Sequence, residues 1–226
     1  MKAMVLAAGR GERMRPLTDQ LPKPLLTVAG KPLIAYHLEG LGRAGVSDVV
    51  INLSWLGSKI RDSLGDGSRY GVRIVYSDEG PVPFETGGGI FHALPLLGSA
   101  PFLVVNGDTW TDVDFAKLEI DTEAHARLVL VPNPAHHPRG DFAIVDGNVV
   151  ERETDLSTYS GIGLYRPEFF HDCSPGRFPL LPLLKRAIAA GKVRGQVHRG
   201  EWLDVGSPER LAELDARVSA RTSRTV

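Results

Sequence analysis

The chain has few of the features that mark secreted, membrane or nucleic-acid-binding proteins. Its 226 residues include one cysteine, Cys173, which cannot form an internal disulfide. The formal net charge is −1, so no basic excess points to a nucleic acid or an anionic membrane. No apolar stretch is long enough to span a bilayer, and the first residues lack a signal-peptide pattern. We expect a cytoplasmic protein that binds neither nucleic acid nor membrane, and anionic ligands must then be bound by local clusters of cations.

Two common phosphate-binding motifs are also missing from the loop that follows the first apolar segment. Residues 9–16 read Gly-Arg-Gly-Glu-Arg-Met-Arg-Pro. A dinucleotide fingerprint needs a third glycine where Met14 stands and a helix that starts at once, which Pro16 disfavours. A Walker loop needs Gly-Lys-Ser or Gly-Lys-Thr at its end, and this loop has neither.

The same loop is nevertheless rich in glycines and cations. Gly9 and Gly11 permit a close approach of the backbone, and their N–H groups can point at phosphate oxygens. Arg13, Arg15 and, further along, Lys23 can neutralise a multiply charged group. The loop therefore predicts a triphosphate site, although the two glycines would also suit a tight turn that binds nothing.

Strand-like and helix-like segments alternate along the first half of the chain. Strands are predicted at 3–8, 48–53, 72–76 and 102–106, and helices at 32–44, 55–64 and 88–97. The second half predicts strands at 127–131, 142–145, 149–152, 159–165, 193–198 and 202–205, a helix at 180–190, and a last helix capped by Ser207. Asp146-Gly147 is typical of a hairpin turn.

This alternation predicts a single α/β domain with a Rossmann-like, mostly parallel but mixed sheet that is flanked by helices. We expect the domain to cover residues 1–218 and the tail at 219–226 to be disordered. In such a sheet, ligands bind beyond the carboxyl ends of the parallel strands. The glycine-rich loop and the end of the strand at 102–106 should therefore share one edge.

Two carboxylates follow short apolar segments. Asp108 ends the run Phe102-Leu103-Val104-Val105-Asn106-Gly107-Asp108, and Asp204 lies in Trp202-Leu203-Asp204-Val205-Gly206. Mg²⁺ is usually held by one or two carboxylates together with phosphate oxygens, so the pair could form a magnesium site. Asp108 could instead be a turn residue, and Asp204 could simply face the start of the last helix.

Other segments offer weaker candidates. Glycines 87–89 open a helix and could let a flat base approach the backbone. Asp141, Glu151 and Ser160 could contact sugar hydroxyl groups, but each could equally have a structural partner. His136 and His137 lie in a proline-rich loop without metal-site spacing, and we expect them to be solvated.

The order of these motifs resembles that of the sugar-1-phosphate nucleotidylyltransferases. The resemblance rests on residues 6–18 with Pro22-Lys23-Pro24, on Asn106-Gly107-Asp108 and on residues 202–206. Residues 85–89, residues 136–142 and the short chain are most similar to the short N-acetylmuramate-1-phosphate uridylyltransferases. Mannose-1-phosphate guanylyltransferases are similar enough to remain an alternative.

The resemblance implies that a uridylyl group passes from UTP to N-acetylmuramic acid 1-phosphate with release of pyrophosphate, with Mg²⁺ as cofactor, in a monomer or homodimer. It implies catalytic roles for Arg13, Lys23 and Asp108, and magnesium ligation by Asp108 and Asp204. The implied nucleotide-binding residues are Ala8, Gly9, Gly11, Glu12, Arg13, Lys23, Glu85, Thr86 and Gly87. The implied sugar-binding residues are Asn106, Asp141, Glu151 and Ser160.

Two functions of other classes compete with this one. An NAD-dependent oxidoreductase would explain the Gly-x-Gly start, but Met14, Pro16 and the cationic loop speak against it. A non-catalytic sensor of nucleotide sugars would have no need of Arg13, Lys23, Asp108 and Asp204 together.

Overall fold

The computed structural model of the protein describes residues 1–222. Its strands are β1 (Lys2–Leu6), β2 (Thr27–Val28), β3 (Lys31–Pro32), β4 (Asp48–Leu53), β5 (Arg73–Asp78), β6 (Phe102–Asn106), β7 (Thr109–Thr111), β8 (Ala126–Val131), β9 (Ala143–Val145), β10 (Asn148–Val150), β11 (Thr158–Tyr165), β12 (Val193–Val197) and β13 (Trp202–Asp204). Its α-helices are α1 (Leu33–Arg43), α2 (Gly57–Leu64), α3 (Glu85–Leu97), α4 (Leu181–Ala189) and α5 (Pro208–Thr222).

The central sheet has nine strands in the order β5-β4-β1-β6-β11-β8-β12-β10-β9. Strands β5, β4, β1 and β6 run parallel, while β11 runs antiparallel to both β6 and β8. Strand β12 is parallel to β8, and the β9–β10 hairpin closes that side of the sheet. The predicted fold class, a mostly parallel but mixed sheet flanked by helices, is confirmed.

Alternation along β1 shows why the apolar segments become buried strands. Ala3 and Val5 point to one face and pack in a core with Leu38 and Leu41 of α1. Met4 points to the other face and packs with Ile90 of α3. Because both faces are covered by helices, a two-residue period appears as a continuous apolar run.

A third apolar cluster joins the beginning of the chain to its last helix. Leu214 and Val218 of α5 pack with Met14 in the glycine-rich loop and with Val28 of β2. The backbone N–H of Ala29 also donates to Asp215 Oδ1 at 2.8 Å. Helix α5 therefore supports the glycine-rich loop from below.

The structure shifts several predicted boundaries. Strand β1 ends at Leu6, and α3 begins at Glu85 instead of residue 88. The predicted hairpin turn is present, with positive φ at Asp146 and Gly147. Residues 219–222 of the predicted tail continue helix α5, and 223–226 lie outside the described residues. Within residues 1–222, no helix combines the length and apolar character needed to cross a bilayer.

Candidate active site

A pocket of about 740 Å³ opens where β1 and β6 end, because their register pairs Leu6 with Asn106. The glycine-rich loop forms one wall. Gly11 has φ +65°, and its carbonyl accepts a hydrogen bond from Thr18 Oγ1 at 2.8 Å. A side chain at residue 11 would come within 2.9 Å of Thr18. Gly11 is therefore required by the shape of the loop itself.

Most of the predicted nucleotide-binding residues line this pocket. They are Ala8, Gly9, Gly11, Glu12, Arg13, Lys23, Glu85 and Thr86. Arg13 is exposed and makes no hydrogen bond or ion pair with any residue in 1–222, so its guanidinium is available to an anion. Arg10 lies over the Trp55 ring, and Arg177 is paired with Glu85 at 3.0 Å.

Gly87, the remaining predicted nucleotide-binding residue, does not line the pocket. A Cβ at residue 87 would meet the Phe178 ring at 2.7 Å, and one at residue 88 would meet the Gly176 carbonyl oxygen at 2.3 Å. The space beside these glycines is therefore filled by protein, which differs from the expectation that they open the helix to a base. Their small size lets α3 pack against the segment before α4.

A buried polar pair in this pocket was missed from the sequence. Asn52 at the end of β4 donates through Nδ2 to Glu79 Oε1 at 2.6 Å and accepts from the Ala7 N–H at 2.7 Å. Glu79 Oε2 accepts from the Phe84 N–H at 2.7 Å. The pair joins β1, β4 and the start of α3 beneath the pocket. The sequence feature that could have predicted this pair is a polar residue at the carboxyl end of each of two parallel strands, β4 and β5.

Lys23 and Asp108 face each other at the mouth of the pocket. Lys23 Nζ lies 2.5 Å from Asp108 Oδ2. The lysine side chain is only 10% exposed and the aspartate 39%, so the ammonium is held inside while the carboxylate faces the opening. A buried charge needs a partner, and here each provides one for the other. The prediction that the loop lysine and the carboxylate after β6 meet is confirmed.

Asp204 lies beside Asp108 because β13 pairs with β7 in a separate two-stranded ribbon. Asp204 is in register with Thr109, and the Val205 N–H donates to the Asp108 carbonyl at 2.9 Å. Sequence alone could not show this proximity, because 96 positions separate the two residues. The segments that carry the two predicted metal ligands are therefore neighbours, with Asp108 lining the pocket and Asp204 on the strand beside it.

Asp204 is held by two residues that the sequence did not single out as its partners. Arg210 Nη1 donates to Asp204 Oδ1 at 2.7 Å and to Oδ2 at 2.8 Å. His136 Nε2 lies 2.8 Å from Asp204 Oδ1 and 2.6 Å from Arg210 Nη1. The expectation that His136 is simply solvated was wrong, because the loop folds back onto β13.

The predicted sugar-binding residues do not all reach the pocket. Asn106 lines it. Ser160 is buried, and its hydroxyl donates to the Val129 carbonyl at 2.6 Å, so it supports the bulge in β11. Asp141 binds His137 and the Tyr159 N–H, and Glu151 pairs with Lys185 at 2.8 Å. The Ser160 hydroxyl therefore has a structural partner in the protein. Neither Asp141 nor Glu151 lines the pocket.

His37 supports the turn that carries Asp108 from behind. This side chain is buried in α1, and its Nε2 lies 2.7 Å from the Thr109 carbonyl oxygen, so the ring nitrogen donates. Burial lowers the pKa of His37 to about 4, although the Thr109 carbonyl and the nearby Asp108 charge oppose the shift. The imidazole is therefore neutral at physiological pH.

The family model described as "Nucleotidyl transferase" matches residues 2–153. The chain belongs to the nucleotidyl transferase family. It is 52% identical to the N-acetylmuramate alpha-1-phosphate uridylyltransferase of Neisseria meningitidis serogroup B, over 97% of this chain and 99% of the relative. It is 39% identical to the enzyme of the same name from Caulobacter vibrioides, over 96% of each chain. The resemblance inferred from the motifs is confirmed.

The nucleotidyl transferase fold is also found in solved structures. HddC from Yersinia pseudotuberculosis, solved in a complex with GMP-PN, superimposes with a TM-score of 0.80. It is 24% identical, and the match covers 96% of this chain and 99% of HddC. At this identity the likeness supports the fold alone. The family match and the two relatives together confirm the prediction that the protein is a sugar-1-phosphate nucleotidylyltransferase.

Proposed function

We propose that the protein transfers a uridylyl group from UTP to N-acetylmuramic acid 1-phosphate, giving UDP-N-acetylmuramic acid and pyrophosphate. The structural support is one observation: Lys23 and Asp108 meet at the mouth of a pocket walled by a glycine-rich cationic loop, and the Asp204 segment is hydrogen-bonded to the Asp108 backbone. The choice of uracil and of this sugar is supported by relatives of that name that match nearly the whole chain. As part of this proposal the enzyme acts in the cytoplasm, where UTP is available.

The reaction needs positioning and charge neutralisation more than acid–base chemistry. An oxygen of the sugar phosphate forms a bond to the α-phosphorus of UTP, and the bond from that phosphorus to pyrophosphate breaks. The attacking oxygen is already anionic at neutral pH, so no strong general base is required. Fixed cations that meet the developing charge then supply most of the rate enhancement.

Each cation in the pocket has a role that fits its geometry. Gly9 and Gly11 bring backbone N–H groups to the triphosphate, with Ala8 and Glu12 beside them. Unpaired Arg13 binds the leaving phosphates, for which a fixed guanidinium fork is well suited. Lys23 contacts the phosphate that is being transferred, because a compact ammonium can follow oxygen atoms that move. Glu85 and Thr86 lie toward the base, and Asn106 toward the sugar.

The donor set at the pocket mouth fits Mg²⁺. No group of three or more histidine, cysteine or acidic side chains suited to a metal occurs among the described residues. Mg²⁺ is content with one or two carboxylates when phosphate oxygens complete its shell, so Asp108 and Asp204 suffice as protein ligands. A magnesium ion held there would neutralise charge on the phosphates and orient them for in-line attack.

The proposal is tested by the release of pyrophosphate from purified enzyme. UTP, GTP, CTP and dTTP are each combined with N-acetylmuramate 1-phosphate, mannose 1-phosphate and glucose 1-phosphate in the presence of MgCl₂. We expect the highest kcat/KM for UTP with N-acetylmuramate 1-phosphate. A higher value for GTP with mannose 1-phosphate would favour a guanylyltransferase, and no release with any pair would contradict nucleotidyl transfer.

A further inference from the structure

We propose that Arg210, assisted by His136, binds the phosphate of the sugar 1-phosphate, and that both residues hold Asp204 only until the substrates and the metal arrive. This inference rests on the proposed function and adds a binding role for two residues that contact Asp204, whose segment is hydrogen-bonded to Asp108 of the pocket. Neither belongs to the glycine-rich loop, and both come from the second half of the chain.

Arg210 contacts Asp204 with only one of its three guanidinium nitrogens. Both of its hydrogen bonds to Asp204 come from the same nitrogen, Nη1, rather than from the two-nitrogen fork that is typical of a strong arginine–carboxylate pair. Among residues 1–222, nothing accepts a hydrogen bond from its Nε or Nη2. A guanidinium has five N–H donors, so an incoming anion can be bound first by the donors that Asp204 does not use.

Asp204, Arg210 and His136 crowd around one another. His136 Nε2 lies within hydrogen-bonding distance of both Asp204 Oδ1 and Arg210 Nη1. A single imidazole nitrogen carries either a hydrogen or a lone pair, so it can serve only one of these two partners well. A phosphate group, which brings several acceptor oxygens, would give both Arg210 and a protonated or neutral His136 a better partner.

The ion pairs of Asp108 and Asp204 also point to a phosphate ligand for Arg210. Each predicted metal ligand is neutralised by one cation, Asp108 by Lys23 and Asp204 by Arg210. A magnesium ion held by the two carboxylates would compete with Lys23 and Arg210 for them, so both cations would need a new anionic partner. A sugar phosphate dianion is the substrate group that can use the second cation, because the nucleotide phosphates already have Arg13, Lys23 and the loop N–H groups.

The loop that carries His136 is built to stay in place. Asp141 accepts from His137 Nε2 at 3.0 Å with one oxygen and from the Tyr159 N–H at 2.8 Å with the other, which ties the loop to β11. Gly206 leaves the space that the Arg210 guanidinium occupies, since a Cβ there would lie 2.0 Å from Nη2. Asp141 is thus assigned a positioning role for the acceptor side in place of direct sugar contact.

The test is equilibrium binding without turnover. Calorimetry measures binding of N-acetylmuramate 1-phosphate to enzyme saturated with MgCl₂ and the unreactive α,β-methylene analogue of UTP. We expect Arg210→Ala to weaken this binding by about ten- to hundredfold and Arg210→Lys by less, since charge-assisted hydrogen bonds are lost or partly kept. His136→Ala should weaken it about threefold to tenfold. Binding of the UTP analogue should change by no more than about twofold.

A second readout separates substrate binding from simple support of Asp204. Binding of Mn²⁺ to the protein alone, measured by electron paramagnetic resonance, should be as tight or tighter in Arg210→Ala, because a competing cation has been removed. Markedly weaker Mn²⁺ binding, or unchanged binding of the sugar phosphate, would overturn the inference. Arg217→Ala is the matched control, because Arg217 lies on the same helix and pairs with exposed Glu213.

The two proposals can fail separately. If the wild type binds glucose 1-phosphate or mannose 1-phosphate instead of N-acetylmuramate 1-phosphate, the proposed substrate is wrong and the same variants are compared with the sugar phosphate that binds. If the wild type binds a sugar phosphate and Arg210→Ala binds it equally well, only the inference about Arg210 is wrong. If the wild type binds none of the three, both are contradicted.

Discussion

The two sides of the pocket are built in opposite ways. On the nucleotide side, residues 8–13 and Lys23 come from one continuous segment, and Arg13 has no partner within residues 1–222. On the acceptor side, Asp204, Arg210 and His136 come from separate segments and already contact one another. Arg13 is thus open to an anion, whereas Lys23 and the cations of the acceptor side are already paired with carboxylates.

The difference indicates how the two substrates are bound. The exposed Arg13 guanidinium can attract a tetra-anionic nucleotide at once, because no carboxylate among residues 1–222 pairs with it. A paired cluster must exchange partners first, which favours a ligand that arrives when the metal has taken the carboxylates. The following predictions test this contrast, from the largest expected effect to the smallest.

Asp108 lies where the two sides meet, so its loss should be the most damaging change. Asp108→Asn keeps the shape of the side chain but removes the charge that Lys23 and the proposed magnesium ion share. We expect kcat for pyrophosphate release to fall by a factor of about one hundred or more, which corresponds to roughly 3 kcal/mol of transition-state stabilisation.

The control for this change is Asp62→Asn, which removes an exposed carboxylate on helix α2. It should leave kcat within about twofold of the wild type. Near-normal turnover in a correctly folded Asp108→Asn protein would contradict the role of this carboxylate.

Two glycines on the nucleotide side should respond differently to a methyl group. Gly88→Ala places a Cβ against the Gly176 carbonyl oxygen, a backbone atom that cannot move away cheaply. We expect a loss of about 2–3 kcal/mol in the free energy of unfolding, measured in urea. Gly9→Ala meets no atom within 4 Å and should leave stability nearly unchanged. Equal stabilities of the two variants would show that the helix start is not tightly packed.

His37 makes the support behind Asp108 sensitive to acid. The unfolded chain protonates this imidazole below about pH 6.5, but the folded protein does so only near pH 4. Stability is therefore lost as the pH falls from 6.5 to 4, and the loss should reach about 2 kcal/mol at pH 5.

Urea denaturation at pH 7 and pH 5 measures this loss. In His37→Gln, which keeps a donor for the Thr109 carbonyl, the difference between the two pH values should shrink by about 2 kcal/mol. His171→Gln alters an exposed histidine and should leave the difference unchanged. If this difference in unfolding free energy is the same in His37→Gln as in the wild type, the pKa of His37 is not lowered by folding.

Ser160 on the acceptor side should affect stability rather than substrate binding. Ser160→Ala removes the hydrogen bond to the Val129 carbonyl and should cost about 1 kcal/mol in the free energy of unfolding. The KM for the sugar phosphate should stay within about twofold. A tenfold rise in that KM at unchanged stability would indicate that Ser160 contacts the sugar.

The sequence predicted those parts of the protein in which a local pattern determines the structure. The runs at 48–53 and 102–106 are long enough to be buried on both faces, and both became strands with the expected bounds. Strands β2, β3 and β7 were missed, whereas the equally short β9 and β10 were predicted with the help of the Asp146-Gly147 turn between them. Short ribbons are set by the tertiary packing around them, which no local window contains.

The site was predictable where chemistry and position coincide in one segment. Lys23 and Asp108 follow from a cationic loop and a strand end at the same edge. For Gly87 and Ser160, composition did not tell whether the space beside the residue holds a ligand or protein, and the structure places Phe178 beside Gly87 and the Val129 carbonyl beside Ser160. Arg210 was overlooked because an arginine on an amphipathic helix usually faces water, and only the fold of β13 brings it to Asp204.

The packing of Leu214 and Val218 beneath the glycine-rich loop has a consequence for biosynthesis. The loop leaves the ribosome first, but the helix that underpins it is translated almost two hundred residues later. A nascent chain stopped before Pro208 would carry every loop residue and still lack the platform that fixes their spacing. The spacing of the nucleotide-binding residues therefore depends on contacts made by the other end of the polypeptide.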